Sequence, residues 1–375
     1  MSSAEQAAWI RLSLEPGLSP ARARQLLEAV GLPQEIYALS RAQLQKYLDN
    51  PLSHQMSQPP SDTLESAIRA TQQWLQQETH YLLTPADINS GYPARLLTPD
   101  YPIVLYAKGQ LKLLNQPAIA IVGARAASRS GCRNAHDFAQ QLASEGFTII
   151  SGLALGIDGA AHQGALQAGP AGGSTIAILG TGIDRVYPAQ HQQLAHRIAT
   201  EGLLLSEFPL GVKARPYHFP KRNRLVATLS QGVLVVEAAR KSGSLITAQV
   251  ATEAGREVFA IPGSIHSPLS RGCHQLIRQG AKLVESVHDI YEEIGQPELP
   301  DLSRKRVPTK PKATSSARFS GEARIVLETL GPDPMSTEGL LQYTTFDIPT
   351  LSQALVELEL LNYIERRPDG RYQKT

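Results

Sequence analysis

The chain has 375 residues, 42% hydrophobic and 19% charged, which suits two or three domains, one large enough to bury a parallel sheet. Its 36 Lys and Arg against 34 Asp and Glu leave a formal charge of +2, which excludes a global field for polyanions, so any nucleic-acid site must be local. The two cysteines, Cys132 and Cys273, stand outside any C-x-x-C pair, and no apolar run approaches the roughly 20 residues of a membrane helix; a cytoplasmic chain with no disulfide scaffold, zinc ribbon or membrane partner is expected.

Residues 1–80 read as a small all-α domain. Leu26, Leu27 and Val30, then Ile36, Leu39, Leu44 and Leu48, recur at three- and four-residue spacing, with no strand pattern between them. Within it, Pro16-Gly17-Leu18-Ser19-Pro20 precedes a helical stretch that stops at Gly31 and resembles a helix-hairpin-helix segment. The amides of such a turn can meet a DNA backbone, although a Gly-Pro turn before a helix is most often only a turn.

Residues 84–295 alternate short β-branched runs with amphipathic stretches. Strands are predicted at 103–106, 118–122, 148–151, 175–179, 203–206, 233–237, 257–261 and 282–284. Several are apolar on both faces, as strands covered by helices on two sides must be. Among the stretches between them, residues 133–145 put Ala135, Phe138, Ala139 and Leu142 on one helical face. The alternation predicts an α/β fold with a doubly wound, mostly parallel sheet.

Residues 296–320 combine Pro and Ser with Arg304, Lys305, Arg306, Lys310, Lys312 and Arg318, and have too few apolar groups to repay ordering; they read as a flexible basic linker. In residues 321–375, helical patterns at 322–330, 337–342 and 350–361 precede a hairpin with its turn at Asp369-Gly370. That order is a winged-helix pattern.

In an open parallel sheet the carboxyl ends of the strands and the amino ends of the next helices share one edge, where ligand crevices form. Six Gly- or Ser-bearing loops fall on that edge, starting at Gly123, Ser151, Gly180, Ser206, Ser242 and Pro262. One such turn is explained by sterics alone; six suit phosphates held by backbone N–H groups at helix starts. Candidate contacts are Gly123, Arg125 and Ser128 in the first loop, Ser151 and Gly152 in the second, and Ser242, Gly243 and Ser244 in the fifth. The first loop is G-x-R-x-x-S rather than the dinucleotide G-x-G-x-x-G, so Arg125 stands where a pyrophosphate would need glycine, and no nicotinamide or other cofactor is expected. Arg125 can instead grip a phosphate through two N–H groups with Ser128 as a second donor, the plainer role being a surface Arg in a turn.

The run Phe219-Pro220-Lys221-Arg222-Asn223-Arg224 puts three cations in a first helical turn, where the helix dipole disfavours each by about 0.3 to 1 kcal/mol. A bound anion removes that conflict, and Phe219 offers a face for a base. The plainer alternatives are ion-paired arginines and a core Phe. Asp158 and His162, four apart, can pair on one helix face in a structural role. Glu207 and Glu237, at strand ends, are the carboxylates an enzyme would use; their other role is to neutralise the arginines. No metal-ligand cluster stands out.

Taken together, Ile121-Val122-Gly123-Ala124-Arg125, Ser151-Gly152-Leu153-Ala154-Leu155-Gly156-Ile157-Asp158, His162, the run from Phe219 to Arg224, Ser242-Gly243-Ser244, Thr247-Ala248 and Pro262-Gly263 resemble the DNA-processing family called DprA or Smf, over about residues 92–290. The resemblance implies a Rossmann-like domain that binds single-stranded DNA without being an enzyme. It also implies a homodimer that protects DNA entering in natural transformation and loads the RecA recombinase on it. Dimer contacts are implied at the end of this domain, through His274, Ile277 and Leu283, which the sequence by itself presents as a half-buried helix and strand.

Some relatives carry a Lys shortly before the Phe219 position; here Lys213 and Arg215 both stand near it. The winged-helix pattern stands on its own and leaves duplex DNA or a protein as its partner, with Arg366, Arg367 and Arg371 favouring DNA modestly. The competing class is a Rossmann-like nucleotide phosphoribohydrolase. Pro262-Gly263-Ser264 matches only the start of that group's P-G-G-x-G-T-x-x-E loop.

Overall fold

Six helices open the chain: α1 (Ser3–Leu14), α2 (Pro20–Val30), α3 (Pro33–Ala38), α4 (Arg41–Leu44), α5 (Asn50–Met56) and α6 (Asp62–Trp74). All but α3 begin at a Ser or Asp whose side chain accepts a first-turn N–H, which satisfies a donor the helix itself leaves free. The computed structural model describes residues 2–87, 91–296, 320–331, 334–361, 363–367 and 370–374, and its two units are Met1–Leu299 and Pro300–Thr375.

In the first unit nine strands form one sheet: β1 (His80–Leu83), β2 (Leu105–Gly109), β3 (Ala118–Val122), β4 (Thr148–Ser151), β5 (Thr175–Ile178), β6 (Leu203–Ser206), β7 (Gly232–Val235), β8 (Glu257–Ala260) and β9 (Lys282–Leu283). Their order is β1-β2-β6-β5-β4-β3-β7-β8-β9; β1 pairs with β2 and β2 with β6 antiparallel, and every pair from β6 to β9 is parallel. The helices between strands are α7 (Arg129–Ser144), α8 (Ile157–Gln167), α9 (Gln192–Glu201), α10 (His218–Leu229), α11 (Gly243–Glu253) and α12 (Arg271–Arg278), with α13 (Val287–Ile294) last.

Strands β3 to β7 are buried along their whole length, as their two-sided apolar patterns require. The doubly wound, mostly parallel sheet is as predicted. β1 is an addition to the predicted strands, and β2 lies two residues further along than its pattern suggests. Trp9, Ile10, Leu26, Ile36 and Met56 of the opening helices share one core with Leu82, Tyr106, Ala177 and Leu204 of the sheet.

The second unit has α14 (Gly321–Thr329), α15 (Thr337–Tyr343) and α16 (Ile348–Leu360) around Val326, Leu340, Leu351 and Leu358, followed by the antiparallel pair β10 (Ile364–Arg366) and β11 (Tyr372–Lys374). This is the predicted winged helix. Gly370 takes a φ of +81°, which a side chain disfavours; its partner in the expected turn, Asp369, lies outside the described residues. So does the predicted linker, apart from its two ends.

Candidate nucleic-acid interface

From β3 the chain adds β4, β5 and β6 on one side, then returns to add β7, β8 and β9 on the other. The connections after β3 and β7 therefore part, and a crevice opens at their carboxyl ends. It measures about 700 Å³ and is lined by Gly123 and Arg125 after β3, Phe219, Arg222 and Asn223 of α10, and Lys241, Ser242, Gly243 and Ser244 at the start of α11.

Phe219 is half-buried on the crevice wall. The Arg125 guanidinium lies over its ring, 5.1 Å from the centroid, and the Tyr187 ring stands 5.7 Å away at 43°. Gly180 makes room for this: a Cβ there would come 3.1 Å from the Phe219 ring. Tyr187 is 49% exposed, so the row Arg125, Phe219, Tyr187 presents both charge and aromatic surface to solvent. Arg215 also lines the crevice, its guanidinium donating to the Tyr217 hydroxyl at 3.0 Å.

Beneath this row Arg222 is buried, its guanidinium 3.7 Å from the Asp158 carboxylate and its Nε without a partner. Gly152 is obligatory for that placement, because a Cβ on it would overlap the guanidinium. Burial raises Asp158 and lowers Arg222 from their ordinary pKa values, and their mutual attraction opposes both shifts. Asp158 also accepts the N–H groups of Gly152 and Ala154 at 3.1 and 3.3 Å.

A second carboxylate does the same in the first loop. Glu237 accepts the Ser128 N–H at 2.9 Å and its hydroxyl at 2.5 Å, while Ser128 caps α7 by accepting the Gly131 N–H. These donors, expected to meet phosphate, are thus occupied by carboxylates of the chain. Ser128 shapes the loop instead of offering a donor to the crevice. Ser151 is fully buried, its hydroxyl donating to the Ile121 carbonyl at 2.6 Å, so it too builds the edge.

The cation run divides. Phe219, Arg222 and Asn223 face the crevice, whereas Lys221 and Arg224 line a separate groove on the other side of α10. There Arg224 donates to Glu207 at 3.3 Å; burial raises the Glu207 pKa, and Arg224 pulls it back. The expected pairing of Asp158 with His162 is not made. His162 is fully buried with Nδ1 2.7 Å from the Thr175 hydroxyl, and burial pulls its pKa down to about 3.

At the far end of the sheet His274 and Ile277 are half-buried on α12, Ile277 against the core, and Leu283 is 41% exposed on the outermost strand β9. His274 Nε2 lies 2.9 Å from the Gly263 carbonyl. Tyr187 and Lys241 belong to the crevice but were not among the expected residues. The one signal for Tyr187 is an aromatic in the loop that begins at Gly180.

The family model described as DNA recombination-mediator protein A matches residues 83–295, and that of the DprA winged helix domain matches residues 308–370. Protein Smf of Escherichia coli strain K12 is 41% identical over 83% of this chain and 81% of its own length. The DNA processing protein DprA of Streptococcus pneumoniae is 50% identical over 52% of this chain and 67% of its own length. The X-ray structure of DprA from Streptococcus pneumoniae superposes with a TM-score of 0.61 at 35% identity, covering 80% of this chain and 99% of that one. DNA processing protein A of Helicobacter pylori, solved for its single-stranded DNA binding mode, superposes with a TM-score of 0.51 at 30% identity, covering 57% of this chain and 95% of that one.

Proposed function

Because the chain belongs to the DNA recombination-mediator protein A family, also called DprA or Smf, we propose that it binds single-stranded DNA in the crevice between the ends of β3 and β7. The observation that carries this is the row of Arg125, Phe219 and Tyr187. Unpaired bases have free faces to stack on aromatic rings, each worth about 1 to 3 kcal/mol, whereas a duplex has none to spare. Phosphates then meet side-chain cations, Arg125, Arg215 and Lys241, rather than the amides that Asp158 and Glu237 already fill. Arg222, with one long ion pair and an unpartnered Nε, keeps donors in reserve beneath the stack.

The biological role follows the family: the protein protects DNA entering in natural transformation and loads the RecA recombinase on it, as a cytoplasmic homodimer joined through His274, Ile277 and Leu283. Of the two carboxylates an enzyme would use, Glu237 is committed to Ser128, which supports a non-enzymatic reading, and Glu207 is paired through one oxygen with Arg224 in the groove outside the crevice. A nucleotide phosphoribohydrolase would need a free carboxylate in the crevice, and Glu207 lines the separate groove. In the winged-helix unit α16 carries no Lys or Arg, whereas Arg366, Arg367 and Arg371 stand on or beside the wing strands. That supports a protein partner, or duplex contact through the wing, over insertion of α16 in a major groove.

The test is anisotropy of a labelled oligonucleotide titrated across salt concentrations. Log affinity for single strands falls with log salt at a slope of about −0.7 per phosphate neutralised. Binding that ignores salt, or base release from nucleoside monophosphates, overturns the reading. For the homodimer, light scattering on Leu283→Arg shows the monomer mass; an unchanged dimer mass moves the interface elsewhere.

A further inference from the structure

Two features lie outside the crevice: the turn before α2, and the groove that receives Lys221 and Arg224. They are one place. The groove, of about 420 Å³, runs between the first turn of α2, the segment around Tyr101 and the outer side of α10. Ser19 caps α2 there, and Ala21 is exposed along the wall. Arg24 is held in position by the Tyr101 carbonyl at 3.0 Å and by Asp100 at 3.1 Å.

Opposite it, Arg224 keeps a buried Nη1 with no hydrogen-bond partner, and Lys221 is exposed. Three cations thus meet two carboxylates, Asp100 and Glu207, each already held by an arginine. The groove and the crevice flank the same helix start, since Lys221 and Arg222 are neighbours on the first turns of α10.

We propose that this groove is a second anchoring site for the sugar–phosphate backbone of a single strand, which leaves the crevice across the start of α10 and meets Lys221, Arg224, Arg24 and the first turn of α2. The proposal rests on the single-strand reading of the crevice and extends it to the opening helices. Affinity then depends on strand length. A strand short enough to fill only the crevice does not reach the groove; a longer one gains phosphate contacts there.

The experiment uses the full chain, with Ala21→Glu and Ala21→Lys as an opposed pair. A carboxylate in the first turn of α2 suits the helix dipole, so Ala21→Glu leaves folding intact, which thermal unfolding verifies. Labelled oligothymidylates of about 6 and about 25 nucleotides serve as probes. With the long probe, Ala21→Glu binds about fivefold more weakly, and Ala21→Lys binds about twofold more tightly with a salt slope steeper by about 0.7. With the short probe neither variant changes.

Long-probe affinity unmoved by both variants overturns the proposal. So do equal shifts on the two probes, which mean a diffuse field rather than a site. Arg125→Ala separates the premise from the extension: if it leaves short-probe binding intact, the crevice reading fails, whatever the Ala21 variants show.

Discussion

Arg222 and Arg224 lie two positions apart on α10, yet the first keeps 6% of its side chain in contact with solvent and the second 23%. Both face a carboxylate from elsewhere in the fold, Asp158 in one case and Glu207 in the other. In sequence they are equivalent members of one cation cluster. Burial grades them: Arg222 is tied into the floor of the crevice, and Arg224 sits on the wall of the groove, where its pair with Glu207 is withdrawn from water less completely. The comparison teaches that a run of basic residues on a helix start is not one electrostatic unit, because a turn of helix sends neighbours to opposite sides.

The hardest test of that contrast is Asp158→Ala, which leaves Arg222 buried without its counter-charge and costs about 3 to 5 kcal/mol in urea unfolding. A loss no larger than that of Arg224→Ala would show that burial is not what separates the two arginines. Next is the pH dependence set by His162, also under the crevice. Its folded pKa of about 3 lies below the ordinary value of 6.5, so above pH 6.5 it is neutral in both states and costs nothing. As pH falls from 6.5 towards 3, only the unfolded chain takes up the proton, and stability drops by about 1.4 kcal/mol per pH unit. Asp158, raised in the fold, contributes with the opposite sign at acid pH. The measurable quantity is therefore the difference in slope between the wild type and His162→Gln; equal slopes place a charged His162 in the fold.

On the groove side, Arg224→Ala leaves the Glu207 carboxylate buried without its cation and costs about 1 to 3 kcal/mol, less than the loss at the crevice floor. Arg125→Ala changes it still less, yet reduces the salt slope of single-strand binding by about 0.7. If Arg125→Ala lowers the unfolding midpoint and leaves the slope alone, the exposed arginine is structural and the comparison inverts.

The sheet was legible because its strands are short, β-branched and apolar on both faces, and because glycines and serines mark where each one ends. β1 was not: His80-Tyr81-Leu82-Leu83 is four residues at the end of a helical tract, and only its pairing with β2 makes it a strand. The place of the crevice followed from the loops. What fills those loops did not, since the partner of Ser128 is Glu237, 109 residues away in sequence. Nor does the sequence tell which way each cation of α10 points, which depends on the acceptors that the neighbouring strands bring up.

The nine-stranded sheet ends at one side in β9, which is two residues long, with Lys282 beside the exposed Leu283. So short an edge offers few unpaired N–H and C=O groups to template a further strand, and its Lys282, paired with Glu292 and Glu293, sets a charged cluster at the rim. A short edge of this kind disfavours lateral growth from the rim. Any subunit that docks there must be held by side chains such as Leu283 and Ile277 rather than by a continued backbone ladder, which favours a reversible association over a fused one.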